Sequence, residues 1–218
     1  MEYFGWTSLA ALSSAVIYAN LPTRLTIGAV VPTFAHLAKA QLVPISGEPN
    51  DPEVIDESKS LEASKLFDKG AHLVMAVRRP GCLLCRREAA EINNLAPALK
   101  AANINLIAVV HETLGANKFK NYFTNGQLFL DTQRTFYGPN ERWLPIWMGF
   151  LRIGTYINVR KAKEANVNGN LKGEGRLLGG VFLVADGELK YAHLEKEWGD
   201  AADIEEVKAA IEKYAKSR

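Results

Sequence analysis

The chain has 218 residues, 48% hydrophobic and 23% charged, which places it among globular proteins and sets aside disorder, collagen and low complexity. Lys and Arg number 26 against 24 Asp and Glu, a formal charge of +2, so electrostatics gives no case for a nucleic-acid partner. Two cysteines exclude a disulfide-stapled scaffold and a four-cysteine zinc site.

Charge is unevenly spread. Residues 1–46 carry only Glu2, Arg24 and Lys39, and nothing from Tyr3 to Thr23 is charged. Trp6 to Ala19 reads as a helix, and about 20 uncharged helical residues suffice to cross a hydrocarbon core of roughly 30 Å. Three readings stand: a membrane anchor, a cleaved signal, or a helix packed on the body. Serine and threonine weaken the span, and Glu2 stands where a signal peptide carries Lys or Arg. For a spanning helix, Arg24 and Lys39 behind it favour a cytosolic body, so the expectation is a cytoplasmic protein with possible membrane association, secretion being the alternative. Ser46 to Glu53 has a linker's composition, which divides the chain into an apolar segment, 1–46, and a folded body, 47–218.

The body alternates elements. Asp56 to Lys69 has a polar helix pattern ended by Gly70, and His72 to Val77 is an apolar run of strand length. After the break at Arg78-Arg-Pro-Gly81, a helix starts at Cys82 and runs through Ala89, Ile92, Leu95 and Leu99. Ile104 to Val110 is an unbroken apolar strand, as where both sheet faces are covered, and Gln127 to Asp131 is another. A long helix is expected from Leu144 to Ala165. Val181 to Ala185 and Glu188 to Leu194 form a hairpin on Asp186-Gly187, and Asp203 caps a last helix, Ile204 to Lys216. The order describes an α/β protein: a thioredoxin-like mixed sheet flanked by helices, with an N-terminal apolar helix.

The chemistry lies in Pro80-Gly-Cys-Leu-Leu-Cys85. Two cysteines scattered at random fall three apart in roughly 1% of arrangements, so the spacing is informative. Cys82 comes at a helix start, where free N–H groups and the dipole favour an anion. Arg78, Arg79, Arg86 and Arg87 add cations, which should lower the Cys82 pKa and stabilise charge on a departing oxygen. Cys85 lies one turn along the same face, within reach for a disulfide. The pair reads as a redox dithiol. His36, His72, His111 and His193 show no ligand spacing, and neither a metal nor a bound cofactor is expected.

At these residues the chain resembles the peroxiredoxin-like 2 family, particularly its 2A branch, a relative of the AhpC/TSA peroxiredoxins. The likeness rests on Val77 to Ala89 and continues through Ala108-Val-Val, Phe129-Leu-Asp131, Phe136-Tyr-Gly-Pro139, Met148-Gly-Phe150, Gly173-Glu-Gly and Gly179-Gly-Val-Phe182, roughly from Ala63 to Asp200. It implies a thioredoxin fold, an antioxidant or redox-regulatory role, and redox activity at Cys82 and Cys85. Peroxides would be the substrate, and an external thiol reductant, thioredoxin or a glutathione-linked donor, would restore the pair. Two other functions stay open: an endoperoxide reductase similar to the sister branch, prostamide/prostaglandin F synthase, and a non-catalytic redox sensor. Peroxiredoxins carry Pro-x-x-x-Thr/Ser-x-x-Cys. Aligned on Cys85, this chain has Arg78 for the proline and Cys82 for the threonine. Helix-start logic therefore favours Cys82 as the attacking thiol and the alignment favours Cys85. Gly179-Gly180 stands where thioredoxin folds place a cis-proline. His111-Glu112 reads as an exposed strand-end pair, with polarisation of a substrate as its alternative, and Trp143, Trp147, Phe150 and Tyr156 as helix packing, a membrane-surface face or an apolar-substrate wall.

Overall fold

The computed structural model of the protein describes residues 2–49 and 51–217, the side chains of Glu2, Tyr3, Phe4 and Trp6 excepted. Helix α1 spans Glu2–Ala19, and two single turns follow, α2 (Thr23–Thr26) and α3 (Phe34–Leu37). Strand β1 (Gln41–Ser46) comes next, then the two-residue strands β2 (Val54–Ile55) and β3 (Leu61–Glu62) and the turn α4 (Ser64–Phe67). The centre of the chain is β4 (Ala71–Val77), α5 (Leu83–Asn93), α6 (Ala96–Ala101), β5 (Ile104–Val110), α7 (Ala116–Phe119) and β6 (Gln127–Leu130). Then come α8 (Ile146–Leu151), α9 (Ile153–Glu164), β7 (Gly180–Ala185), β8 (Glu188–Leu194) and α10 (Ile204–Lys216).

The strands form one mixed sheet in the order β2-β1-β6-β5-β4-β7-β8, with β3 on the other end of β1. β4 is parallel to β5 from Ala71↔Ile104 to Val77↔Val110 and antiparallel to β7, which makes it an interior strand. Every residue of β4 is buried, and the pleat deals them to two cores. Leu73, Met75 and Val77 pack with Ala89 and Ile92 of α5 and Val207 and Ile211 of α10. Val74 and Ala76 pack with Val109, Phe136 and Phe182 on the other face. At about 1.5–3 kcal/mol for each large apolar side chain removed from water, this strand anchors the fold, and the motif hangs from its end. The Asp186-Gly187 turn has positive φ at both residues, 53° and 72°, the geometry a two-residue hairpin needs.

Four elements differ from the sequence expectation. The helix expected over Asp56 to Lys69 is broken into a 3-10 turn at Glu57–Lys59, β3 and α4, because Leu61 and Glu62 pair with Leu42 and Gln41 of β1. The helix through Cys82 to Leu99 stops at Asn93 and restarts at Ala96, with Pro97, which has no N–H to donate, in the first turn of α6. The helix expected from Leu144 to Ala165 is split at Arg152, whose φ of −81° and ψ of 122° are extended. Asn20 caps that break from outside: its amide donates to the Leu151 carbonyl at 2.9 Å and its oxygen accepts from the Ile153 N–H at 3.2 Å. Finally, β1 precedes the division drawn at residue 46 yet pairs with β6, so the sheet extends across it.

The end of α1 rests on α8, where Tyr18 stacks on Trp147 at 6.3 Å, while Leu9, Leu12 and Ile17 stay exposed. Among the described residues no helix is long and apolar enough to cross a membrane.

Candidate redox site

β4 delivers the chain to the site at Val77, whose carbonyl accepts the Tyr137 hydroxyl at 2.9 Å. The next four residues turn, the Cys82 N–H donates to the Arg79 carbonyl at 3.1 Å, and Cys82 becomes the N-cap of α5. Both cysteines are buried free thiols. The Cys82 thiolate accepts from the Cys85 thiol, from the Leu84 N–H and from Arg78 Nη2 at 3.2 Å. The Cys85 hydrogen bond, then the charges of Arg78 and Arg79, hold the Cys82 pKa well below the ordinary thiol range against the opposing effect of burial. The same bond, seen from its donor, pushes Cys85 well above that range, and burial adds to it.

The arginines divide their work. Arg78 alone hydrogen-bonds to sulfur, and its Nε pairs with Glu195 at 3.1 Å, both side chains nearly inaccessible. The Glu195 carboxylate also accepts from the Gly179 N–H at 2.8 Å and the Gly199 N–H at 3.0 Å, which leaves it fixed. Fully buried Arg142 donates to the carbonyls of Glu195, Leu178 and Gly179, and burial brings its pKa down to about 10. Arg78 Nη1 donates to the Gly175 carbonyl at 2.9 Å, Arg79 to Leu171 and Asn170, and Arg86 to Asn168 at 2.8 Å and Pro80 at 3.0 Å. The glycine-rich loop from Asn168 to Gly175 is therefore strapped across the motif by the motif's own arginines. Arg79 acts on Cys82 through its charge, whereas Arg86 is turned to backbone and stacks over Tyr122 at 5.4 Å.

Gly179 sits where the strands meet the motif. A Cβ there would run into the Ala76 carbonyl, so glycine is what lets this backbone close on β4 and present its N–H to Glu195. His111 and Glu112 form no exposed pair: His111 Nε2–H donates to the Arg78 carbonyl at 2.8 Å, and the Glu112 carboxylate accepts from the Glu174 N–H at 3.0 Å. Sequence reasoning missed Glu195, Arg142 and Tyr137. Each acts across the fold, 117, 53 and 60 residues from the group it holds, and no local spacing announces such a contact.

Cys82 is only 4% exposed, yet it lines a cavity. The cavity, of about 700 Å³, is bounded also by Leu83, Leu84, Phe150, Tyr156, Val159 and Trp198.

Comparison with known proteins agrees with this architecture. The profile of the AhpC/TSA antioxidant enzyme family matches residues 91–197, beginning beyond both cysteines. Peroxiredoxin-like 2A of Xenopus tropicalis is 42% identical over 167 residues, 75% of this chain and 73% of that protein. Peroxiredoxin-like 2A of Danio rerio is 38% identical over 217 residues, 98% of this chain and 97% of that protein. Among solved structures, peroxiredoxin Q of Xanthomonas campestris superposes with a TM-score of 0.51 at 14% identity, covering 86% of this chain and 98% of that one, a likeness of fold.

Proposed function

The chain belongs to the peroxiredoxin-like 2A family, and from that premise we propose that it is a thiol-dependent peroxide reductase in which Cys82 attacks and Cys85 resolves. The observation that carries the assignment of roles is the Cys82 sulfur at the N-cap of α5, 3.2 Å from Arg78 Nη2, whereas Cys85 lies inside the helix; the Cys85 thiol acts on Cys82 in the same direction.

The cycle follows from that polarity. The Cys82 thiolate attacks the terminal oxygen of R–O–O–H, the O–O bond breaks, and sulfur is oxidised to the sulfenic acid while R–O⁻ leaves and takes a proton to become R–OH. The Arg79 charge, which already acts on Cys82, stabilises the developing oxyanion. The Cys85 sulfur then displaces the sulfenic oxygen as water, forming the Cys82–Cys85 disulfide. An external dithiol, of thioredoxin or glutathione-linked type, reduces it by exchange and leaves oxidised.

The test uses the full chain with a thioredoxin-coupled peroxide assay and a sulfenic-acid trap. Cys82→Ser abolishes consumption, and Cys85→Ser lets the trap label Cys82 after one turnover. Label on Cys85 in Cys82→Ser at the wild-type rate, or consumption by both variants, overturns the assignment.

A further inference from the structure

Reduction of a Cys82–Cys85 disulfide poses a problem of access. Cys82 lines the cavity of about 700 Å³, while Cys85 is buried inside α5, so an incoming thiol meets the pair through that cavity and at Cys82. Four side chains that line the same cavity are also turned to solvent and so form its mouth. They are Ile146 and Phe150 of α8, Tyr156 of α9 and Leu171 of the loop over the motif, each more than half exposed.

Single exposed apolar residues are ordinary on protein surfaces, but this set is fixed in place. Leu171 is 85% exposed, more than any other exposed large hydrophobic among the described residues, yet its backbone is tied down. Its carbonyl accepts from Arg79 Nη1 at 3.0 Å, the Asn170 N–H donates to the Gly81 carbonyl at 2.7 Å, and the Lys172 N–H donates to Asn170 Oδ1 at 2.9 Å. The Tyr156 hydroxyl donates to the Phe150 carbonyl at 2.7 Å, and the Phe150 ring meets Trp198 edge to face at 5.5 Å. Apolar side chains held in water on a backbone that cannot fold them away lose little freedom when a partner covers them, which is how interface anchors work.

At about 200 Å² for a large side chain, the four present about 500 Å² of apolar surface. A stable dimer needs about 800 Å² from each partner, whereas transient redox encounters use less than about 600 Å². The mouth therefore suits a partner that docks, reacts and leaves, and not a second copy of this chain. Its edge is charged, because Lys172, beside Leu171, is exposed and in no ion pair among the described residues. Glutathione, a small thiol carrying two carboxylates, has little to bury on such a ring.

We propose that the mouth formed by Ile146, Phe150, Tyr156 and Leu171 is the docking surface for a protein dithiol reductant whose attacking cysteine stands in an apolar patch edged by acidic residues. The inference rests on the dithiol cycle of the reading above and names the partner and the place that close it. The partner's thiolate attacks the Cys82 sulfur, the Cys82–Cys85 bond breaks, and Cys85 leaves as a thiolate beside the Arg78 charge and takes up a proton. The partner's second thiol gives up its proton and displaces Cys82, so the chain gains two electrons and the partner leaves as its own disulfide.

The test oxidises the full chain with diamide, so that no peroxide is involved. Reduction by thioredoxin as the protein probe, by dithiothreitol and by glutathione is then followed through tryptophan fluorescence. Thioredoxin is expected to outpace glutathione at equal thiol concentration. Leu171→Asp and Ile146→Asp are each expected to lower the ratio of thioredoxin to dithiothreitol rates about tenfold, a ratio taken on one sample and so indifferent to the folded fraction. Val54→Asp on β2, as exposed as Ile146 but outside the mouth, is expected to leave that ratio unchanged. Lys172→Glu is expected to lower it about threefold at low salt and hardly at all at high salt. A thioredoxin variant lacking its second cysteine is expected to be trapped on the Cys82 peptide. A ratio unchanged in both mouth variants, an equal fall in Val54→Asp, glutathione as fast as thioredoxin, or trapping on Cys85 overturns the docking surface while leaving the reductase reading standing. If the ratios fall as expected and no peroxide oxidises Cys82, the docking surface stands and the reductase reading fails.

Discussion

Replacing Cys85 separates the sources of Cys82's acidity. In Cys85→Ala the thiol hydrogen bond, the largest of them, is gone, while Arg78, Arg79 and the Leu84 N–H remain. A hydrogen bond to a charged group is worth about 1.5–3 kcal/mol, about 13- to 160-fold in thiolate population at a pH where ionisation is partial. The more basic thiolate is also the better nucleophile, with a Brønsted slope of about 0.45, and this offsets part of the loss. Alkylation of Cys82 by iodoacetamide at mildly acidic pH should therefore slow by about four- to fifteenfold, measured on the Cys82 peptide by mass spectrometry. Thiolate absorbance of this single-cysteine variant reads the full population change. Cys85→Ser has a hydroxyl that donates the same bond and should stay within about threefold of wild type. If alanine and serine variants titrate alike, the hydrogen bond is not what ionises Cys82, and the assignment of roles is left to Arg78 and the helix start alone.

Arg78→Met leaves the Glu195 carboxylate buried without its cation and should cost about 3–5 kcal/mol in urea unfolding, with much of the loss recovered in Arg78→Met/Glu195→Gln; an additive double variant would show the pair is not coupled. Gly179→Ala drives a methyl into the Ala76 carbonyl and should part β7 from β4, seen as faster hydrogen exchange at Met75 and Ala76 and a loss of Cys82 reactivity. Glu88 is pushed up to about 8, chiefly by burial and next by Glu195, so its neutral form is the one the fold prefers. A raised acid contributes stability that is whole below its ordinary value of 4.5 and is lost as pH rises through about 8. Wild-type stability should thus fall across that window, by on the order of 2 kcal/mol once solvent at this half-buried group is allowed for, and Glu88→Gln should flatten the curve. Cys82→Ser removes the charge that holds Cys85 protonated, so Cys85 should alkylate faster in this variant than in wild type at pH 8, and an unchanged rate would contradict the coupling.

What the sequence made legible is what is local. Cys82 at the N-cap, Cys85 one turn on, the apolar strands on either side and the Asp-Gly hairpin are consequences of spacing and turn chemistry within a few residues. The arginine cluster was legible as charge but not as geometry. Four cations beside a cysteine suggest four stabilisers of its anion, yet Arg86 donates to Pro80 and Asn168, and Arg87 to Gly199. A guanidinium has five donors on a long stem, and backbone carbonyls of a covering loop compete for them at least as well as one sulfur. The break at Arg152 was hidden for the same reason. Nothing between Leu144 and Ala165 forbids a continuous helix, and the interruption is stabilised by Asn20, more than a hundred residues away.

The departure from the peroxiredoxin pattern has a physical reading once the donors to Cys82 are known. With Cys82 in place of the threonine, the chain has no hydroxyl at that position to polarise an attacking thiol at Cys85, and the arrangement works the other way round. In the proposed cycle the resolving thiol is itself the activating donor, with Arg78 fixed behind it by Glu195. That double duty sets the order of events. While Cys82 is a thiolate, its charge and its hydrogen bond hold Cys85 protonated and unreactive. Oxidation of Cys82 to the sulfenic acid cancels the charge and weakens the bond, leaving burial as the main force against ionising Cys85 and the Arg78 charge in its favour. On the proposed cycle, Cys85 therefore becomes the better nucleophile at the step where the disulfide would form, and not before it.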